Sequence, residues 1–341
     1  MRAGPGGVED TAQVRYLDGL ASGSRRWSVM GLGTWQFGTS EWGYGDALEA
    51  GRIVARAREL GVTVFDTAEL YGPLRSERIL GDALRACGGP GWRDEVVIAT
   101  KFFPVLPLGP VLRRRAVASA ARLGVAELDL YQVHKPHPLI GDVSAMRGMA
   151  ELQRTGLVRD AGVSSYSLER WLAAEEALGG PVLSNQVEFS LLRRLPAGAL
   201  VPHAAAHGRI VMAYSPLAQG LLTGRYDADH RPTNAVRRSK PEWLPENLAA
   251  LAPLTDALRD VASAHDAPPS QVALAWVVHH PNTVAIPGAS SVAQLESNVA
   301  AADIVLTSDE YAGLTAAAQR VRLRTGPATL PAVARELFSR R

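Results

Sequence analysis

Short apolar runs alternate with longer amphipathic stretches along most of the chain. Eight of these runs are rich in β-branched residues and apolar at nearly every position, which is typical of parallel strands covered by helices on both faces. The predicted strands are residues 29–34, 62–67, 96–101, 128–134, 158–164, 183–188, 210–215 and 283–287.

The stretches between the runs repeat their apolar residues at helical spacing. They predict helices at residues 47–60, 76–86, 111–123, 143–154, 168–178, 197–207, 249–264 and 292–301. In the second of them Ser76 is the predicted N-cap, and Ile79, Leu80 and Leu84 are predicted to face inward.

Eight consecutive strand–helix units favour a closed (β/α)₈ barrel, the TIM-barrel fold, over an open doubly wound sheet. An open dinucleotide-binding sheet usually carries Gly-x-Gly-x-x-Gly after its first strand. This chain reads Gly31-Leu32-Gly33-Thr34-Trp35-Gln36 there and lacks the third glycine. We therefore predict one α/β domain over residues 1–341, with the barrel proper at about 28–302 and a C-terminal extension at 303–341.

Three segments fall outside the repeat. Residues 14–17 and 26–30, joined through Asp18-Gly19, predict an N-terminal β-hairpin that would close the bottom of the barrel. Residues 308–321 predict an extra C-terminal helix. Residues 217–247 form a long polar stretch of the kind found in functional or disordered loops. Within it Arg237 and Arg238 are expected on a solvated face, with contact to a phosphate or an acidic substrate as the alternative.

Composition narrows the range of partners. The 36 basic and 34 acidic residues give a net charge of +2, without the basic excess of nucleic-acid binders, so we expect no nucleic-acid partner. Cys87 is the only cysteine, which excludes an intrachain disulfide and a cysteine-based metal cluster, and we expect no metal. No apolar run approaches the roughly 18 residues that cross a bilayer, and residues 1–10 lack the apolar core of a secretory signal. We expect a cytoplasmic protein without a membrane partner.

Candidate chemistry lies where the predicted strands end, because the carboxyl ends of barrel strands form the active-site rim. Consecutive strands end in or next to Asp66, Lys101 and His134, and Tyr71 follows the first of them on a turn. The chain has only three lysines among its 36 basic residues: Lys101, Lys135 and Lys240. Taken alone, Asp66 could be a helix cap, Tyr71 a loop anchor and His134 a core histidine. Their common position on consecutive units favours a shared site.

A phenol, an ammonium, a carboxylate and an imidazole together make a proton-donating site. The ordinary pKa of tyrosine is near 10, and the Lys101 ammonium is expected to lower the pKa of Tyr71. Asp66 would balance the buried ammonium, and His134 would hydrogen-bond the substrate oxygen. Cys87 falls in a predicted helix, and no Gly-x-Ser-x-Gly motif is present. The attacking group is therefore most simply a hydride from a bound cofactor.

The same segments carry a family resemblance. In chain order they are Phe65-Asp66-Thr67-Ala68-Glu69-Leu70-Tyr71-Gly72, Ala99-Thr100-Lys101-Phe102, Leu130-Tyr131-Gln132-Val133-His134, Gly162-Val163-Ser164-Ser165-Tyr166-Ser167, Asn185-Gln186-Val187-Glu188, Ala213-Tyr214-Ser215-Pro216-Leu217 and Ile286-Pro287-Gly288-Ala289. As a set, these motifs resemble the aldo-keto reductase superfamily from about residue 30 to residue 302. The resemblance implies a (β/α)₈ barrel that reduces aldehydes and ketones with NADPH, less often NADH. It also implies Tyr71 as the general acid, Lys101 and Asp66 as the groups that tune it, and His134 as the group that positions the carbonyl.

A cofactor site follows from the resemblance as well. Ser164 and Gln186 would hydrogen-bond the nicotinamide carboxamide, and Tyr214 would stack on the nicotinamide ring. The full set expected to bind the cofactor is Gly33, Thr34, Trp35, Asp66, Ser164, Ser165, Gln186, Tyr214, Ser215, Leu217, Gln219, Gly220, Leu221, Ile286, Gly288, Ser290, Ser291, Gln294 and Asn298. The chain departs from the family pattern at Ser165, where asparagine is usual. It also lacks the Lys or Arg that many members place after Gly288 for the 2′-phosphate. NADP is favoured because two serines at a helix N-terminus can donate to a phosphate, and NAD is the alternative.

The expected substrate is a small carbonyl compound. Trp35, Tyr71, Phe102 and His134 are predicted to contact it, and Trp42, Phe103 and His137 fall in the surrounding loops. Two other functions stay open: an alcohol dehydrogenase or redox-neutral epimerase of a sugar-like or secondary-metabolite alcohol, and a non-catalytic NADP-binding regulatory protein. The sequence leaves the oligomeric state open.

Overall fold

The structure, a computed structural model, describes residues 14–20, 25–38, 47–105, 108–137 and 141–338. Within this part of the chain eight parallel strands pair in chain order. They are β1 (Leu32–Gly33), β2 (Val64–Asp66), β3 (Val97–Phe102), β4 (Leu128–Val133), β5 (Val158–Ser164), β6 (Val182–Glu188), β7 (Ile210–Tyr214) and β8 (Thr283–Ala285). The backbone N–H of Gly31 donates to the carbonyl of Ala285 at 2.8 Å, and that of Gly33 to Pro287 at 3.1 Å. The last strand therefore returns to the first, and the predicted (β/α)₈ barrel is confirmed.

Helices surround the strands. They are α1 (Ala47–Glu59), α2 (Ser76–Gly88), α3 (Trp92–Glu95), α4 (Gly109–Leu123), α5 (Val143–Arg154), α6 (Leu168–Leu178), α7 (Leu195–His207), α8 (Ala235–Arg238), α9 (Pro245–Ala264), α10 (Pro269–Val278), α11 (Val292–Ala300), α12 (Ser308–Arg320) and α13 (Leu330–Phe338). The predicted C-terminal helix is α12, which begins with a capping box between Thr307 and Glu310.

The core has two parts because side chains alternate between the two faces of each strand. One part lies between the strands and the surrounding helices, where α2 buries Leu80 and Leu84 as predicted. The other fills the inside of the barrel with apolar residues from the earlier strand positions, among them Val64, Val97 and Leu130. Further along the same strands the inward positions are polar: Asp66 lies two residues after Val64, Lys101 four residues after Val97, and Gln132 two residues after Leu130. The barrel is therefore apolar at the bottom and polar at the rim.

The N-terminal segment closes the bottom of the barrel. The backbone N–H of Leu17 donates to Trp27 at 2.8 Å and that of Val29 to Arg15 at 2.9 Å, so the two segments run antiparallel as predicted. Between the described residues the pairing is reduced to a single bridge, from Tyr16 to Ser28. The Trp27 side chain is buried in the inner apolar cluster.

Two predictions about helices were wrong. Ser76 is the first residue of α2 rather than its N-cap, and its hydroxyl donates to the carbonyl of Thr34 at 2.8 Å, which ties α2 to the end of β1. The helix α10 was not predicted. Its residues from Val272 to Val278 are all buried, so it has no polar face and lacks the amphipathic period that the prediction relied on.

The predicted 217–247 loop has local structure of its own. It contains two 3₁₀ helices, Ala218–Thr223 and Pro241–Trp243, and the short helix α8. Arg237 donates to the carbonyl of Gln219 at 3.1 Å and to the Tyr226 hydroxyl at 3.2 Å, and Lys240 donates to the Gln219 amide oxygen at 2.6 Å. The expected solvated face is therefore wrong for Arg237, which ties the two ends of the segment together.

Candidate active site

Strand pairing brings the predicted polar residues to one rim. Asp66 is the last residue of β2, Lys101 is the next to last of β3, and His134 directly follows β4. Tyr71 lies in the turn between β2 and α2, where its carbonyl accepts the backbone N–H groups of Arg75 and Ser76 at 3.2 Å each. The four side chains that the sequence grouped together do meet in the structure.

Lys101 and Asp66 form a buried ion pair. The Lys101 Nζ donates to both carboxylate oxygens of Asp66 at 2.8 Å and to the carbonyl of Thr67 at 2.7 Å, and its side chain has no exposed surface. Burial alone would lower the pKa of Lys101, but the carboxylate of Asp66 and the phenol of Tyr71 outweigh burial, and the pKa of Lys101 is raised. Lys101 is therefore an ammonium at neutral pH.

Tyr71 lies against this ammonium. The Lys101 Nζ lies over the ring of Tyr71, 4.8 Å from its centre. Burial raises the pKa of Tyr71 above its ordinary value, and the opposing effect of Lys101 is smaller. The expectation of a lowered pKa is therefore wrong in its net direction. Tyr71 keeps its proton at neutral pH and is placed to act as an acid.

His134 completes the cluster as a neutral imidazole. Its ring lies edge-on to the Tyr71 ring, with 5.7 Å between the centres. Burial lowers the pKa of His134 to about 3, and the positive charges of Lys101 and Lys135 add to the effect. A neutral imidazole carries one N–H group, which can donate to a substrate oxygen without bringing a second cation beside Lys101.

Glu69 anchors the turn that carries Tyr71, a role that the sequence analysis missed. Its carboxylate accepts the backbone N–H of Phe103 at 2.7 Å and pairs with Arg115 on α4. Glu69 is nearly fully buried. Its position two residues before Tyr71 was visible in the sequence, but its partner lies 46 residues away and only the fold brings them together.

The rim beside Tyr71 is aromatic. The Trp35 ring lies 6.5 Å from the Tyr71 ring and is 50% exposed, and the Phe103 ring lies 6.2 Å from His134. The expectation that Phe102 contacts the substrate is wrong, because Phe102 is buried in the core against Tyr131, 5.2 Å between ring centres. Trp42 lies outside the described residues.

The residues expected to hold the nicotinamide end have partners within the protein. Gln186 donates from its amide to Asp66 at 2.7 Å, so it supports the ion pair as well as facing the rim. Tyr214 ends β7, and Ser165, which follows β5, has a left-handed backbone at φ +63°. Ser164 is buried at the end of β5. Asparagine tolerates the left-handed conformation better than serine does, which makes Ser165 a strained position.

The residues expected at the adenosine end gather around the start of α11. Ser291 caps the helix by accepting the backbone N–H of Gln294 at 3.2 Å. The amide oxygen of Gln294 accepts the backbone N–H of Ser290 at 2.7 Å and its hydroxyl at 2.5 Å. Asn298 donates to the carbonyl of Gly288 at 3.2 Å. An acceptor of the protein itself thus occupies the donors of Ser290.

The remaining residues of the expected cofactor set lie where β1 and β8 end and on the segment after β7. Thr34 is fully buried and donates to the carbonyl of Asp66 at 2.9 Å. A Cβ at Gly33 would lie 2.8 Å from the carbonyl of Ile286, so glycine is required where β1 meets the end of β8. Ile286 is buried in the inner cluster and Leu221 in the outer one. Ser215, Leu217, Gln219 and Gly220 lie on the segment after β7, which has left-handed backbone at Ser215, Gln219 and Gly220.

The described residues lack both a metal site and a membrane-spanning helix. They contain no group of three or more His, Cys, Asp or Glu side chains arranged to hold a metal ion. Over the same ranges no helix combines the length and the apolar character needed to cross a membrane.

Comparison with known proteins gives consistent matches. The profile of the Aldo/keto reductase family matches residues 29–319. An uncharacterized oxidoreductase of Mycobacterium tuberculosis is 51% identical over 331 residues, which cover 96% of this chain and 100% of that protein. The crystal structure of an aldo-keto reductase from Klebsiella pneumoniae in complex with NADPH matches with a TM-score of 0.67 at 29% identity, covering 85% of this chain and 90% of that chain. The structure of the glycerol dehydrogenase of Gluconobacter oxydans matches with a TM-score of 0.80 at 25% identity, covering 93% of this chain and 98% of that chain.

Proposed function

Because the chain belongs to the aldo/keto reductase family of oxidoreductases, we propose that it reduces a small aldehyde or ketone with NADPH and that Tyr71 donates the proton. The observation that carries this proposal is the position of the Tyr71 phenol, between the buried ammonium of Lys101 and the neutral ring of His134. An acid and a neutral hydrogen-bond donor at one rim suit a carbonyl oxygen that gains negative charge.

The residues present fit a dinucleotide. The donors of Ser290 at the start of α11 suit a phosphate, and they already hold an acceptor in Gln294. Ser164 and Gln186 would face the carboxamide, and Tyr214 would stack on the ring. When bound, the reduced nicotinamide would supply a hydride to the carbonyl carbon. NADPH, which the Klebsiella pneumoniae structure holds, is the cofactor proposed for this chain.

The protein's own groups would handle the proton. His134 would donate a hydrogen bond to the carbonyl oxygen and orient it toward Tyr71. Tyr71 would transfer its proton to that oxygen as charge develops, and Lys101 would stabilise the phenolate left behind. Asp66 would keep Lys101 charged and in place. The aromatic rim of Trp35 and Phe103 would exclude water from the carbonyl.

Alcohol oxidation uses the same groups in the opposite protonation state, and epimerisation uses both states in turn, an oxidation followed by a reduction. Oxidation needs a Tyr71 phenolate to accept a proton, and the raised pKa of Tyr71 disfavours it at neutral pH. The decisive experiment follows NADPH absorbance with a panel of aromatic and aliphatic aldehydes. Stoichiometric consumption of NADPH supports reduction. In a parallel assay with NADP and chiral sugar-like alcohols, conversion to the other epimer without net change in NADPH would indicate epimerisation, and cofactor binding without turnover in either assay would indicate a regulatory protein.

We expect the rate of carbonyl reduction to be nearly flat between about pH 5 and pH 8. His134 has a pKa lowered to about 3, so it stays neutral above that value, and Tyr71, with its pKa raised, stays protonated throughout this range. Activity should fall only in alkaline solution, as Tyr71 ionises. The profile of kcat/KM against pH measures this directly. An inflection between about pH 6 and pH 7 would show an ordinary histidine and contradict the assignment of His134.

We expect Gln294→Glu to lower the affinity for NADPH about tenfold, with little change for NADH. The new carboxylate would take the place of the amide oxygen beside Ser290 and repel a 2′-phosphate, which NADH lacks. Fluorescence titration with both cofactors measures the ratio. Gln271→Glu makes the same charge change on α10, where Gln271 contacts Ser297, and serves as the control. An equal loss for both cofactors would place the phosphate elsewhere, and wild-type binding of NADH as tight as that of NADPH would overturn the NADP preference.

A further inference from the structure

Gln132 is a buried polar residue that the mechanism above does not use. It lies in β4 two residues before His134 and has no exposed surface. Its amide oxygen accepts the hydroxyl of Ser184 at 3.2 Å, whereas its amide nitrogen has no hydrogen-bond partner among the described residues. A buried amide N–H without a partner costs free energy, so a buried one usually has an acceptor.

Strand register places this amide inside the barrel, below the rim. Lys101, Gln132, Gly162 and Ser184 occupy matching positions on four neighbouring strands, β3 to β6. A Cβ at Gly162 would lie 2.8 Å from the Gln132 Cγ, so the glycine leaves the space that the Gln132 side chain occupies. Residues two apart on a strand point to the same side, and His134 therefore lies above Gln132 on the inner face.

His134 also has a buried nitrogen without a hydrogen-bond partner. Its Nδ1 is buried and has no partner within the described ranges. A neutral imidazole carries its proton on one nitrogen and a lone pair on the other. The groups on the Gln132 side are donors: the amide of Gln132 and the ammonium of Lys101, whose charge acts on His134. A proton on Nδ1 would be repelled by these donors, whereas a lone pair on Nδ1 could accept a hydrogen bond from one of them.

We propose that Gln132 is a positioning residue, whose amide N–H donates to a bridging water that in turn donates to Nδ1 of His134, and so keeps the imidazole proton on Nε2. The Nε2–H group then faces the rim and is the one that reaches the substrate oxygen. This inference deepens the proposed reduction and rests on it for its catalytic meaning. The tautomer itself is a property of the protein that can be measured without a substrate.

The test compares Gln132→Met with wild type and with a control. Methionine keeps the length of the side chain and removes the donor. Tyr131→Phe is the control, because Tyr131 is the neighbouring residue on the opposite face of β4 and also loses one buried polar group. Nitrogen NMR of histidine-labelled protein with NADP bound reads the protonated nitrogen of His134, and His134→Asn assigns its signal.

In wild type and in Tyr131→Phe we expect the proton on Nε2. In Gln132→Met we expect a mixture of the two tautomers. We also expect kcat to fall about tenfold, which corresponds to the free energy of one buried hydrogen bond, and NADPH affinity to stay unchanged. A purely structural role would lower stability and leave the tautomer as it is.

Two results would overturn the proposal: a wild-type His134 protonated on Nδ1, or a Gln132→Met protein in which His134 keeps the wild-type tautomer. If Gln132→Met does not fold, the wild-type spectrum alone decides. If wild type reduces no carbonyl compound at all, the proposed function fails, and the spectrum still answers the question about Gln132.

Discussion

Replacing Tyr71 with phenylalanine should lower kcat for carbonyl reduction by about 10²- to 10⁴-fold, the usual contribution of a general acid. The substitution removes only the hydroxyl. The ring can keep its contacts with Trp35 and His134 and its position over Lys101, so the rim should keep its shape. We therefore expect NADPH affinity to stay near the wild-type value. Pre-steady-state measurement with NADPH and an aromatic aldehyde separates the chemical step from cofactor release.

Tyr16→Phe is the matched control for this experiment. It removes the same atom from a tyrosine at the bottom of the barrel, where the Tyr16 hydroxyl donates to the carbonyl of Gly61 at 3.0 Å. We expect its turnover to match wild type. Turnover by Tyr71→Phe that also matches wild type would remove Tyr71 from the chemistry and leave the proposed mechanism without its acid.

The sequence predicted the barrel well where strands and helices have distinct patterns. β5 has the predicted bounds, and α5 and α6 begin and end where their apolar periods do. Prediction failed at α10, which is buried on all sides, and at the edges of the short strands β1 and β8, where hydrogen bonding rather than composition decides the ends. The division of residues 1–341 into a single domain and the cytoplasmic location stay predictions.

The candidate site was predictable for residues whose position depends on the strand alone. Asp66, Lys101 and His134 lie at strand ends, so counting along the chain places them. Phe102 was misplaced by one position: β3 continues through it, and since Lys101 points inward, the next residue points outward. The net pKa shift of Tyr71 was not predictable, because it depends on how far the fold buries the phenol. Glu69 and Gln132 depend on partners from other strands and helices.

Replacing Lys101 with methionine should lower the free energy of unfolding by about 3–5 kcal/mol, because it leaves the Asp66 carboxylate buried without its cation. The double variant Asp66→Asn/Lys101→Met should recover most of that loss. Its two neutral side chains have no buried charge, and an asparagine at 66 can still accept the amide of Gln186. Urea unfolding measures the free energy of unfolding of wild type, Asp66→Asn, Lys101→Met and the double variant, which together form a double-mutant cycle.

Activity should not follow stability in this cycle. Lys101 stabilises the phenolate that Tyr71 becomes after it gives up its proton, so both variants that lack Lys101 should stay at least about a hundredfold below wild type in kcat. Arg154→Met, which breaks an exposed pair with Glu151, is the control and should cost less than about 1 kcal/mol and no activity. A double variant that regained both stability and turnover would show that the ion pair only holds the barrel together. A double variant that is stable and inactive assigns the ammonium to the proton transfer, because the fold no longer needs it.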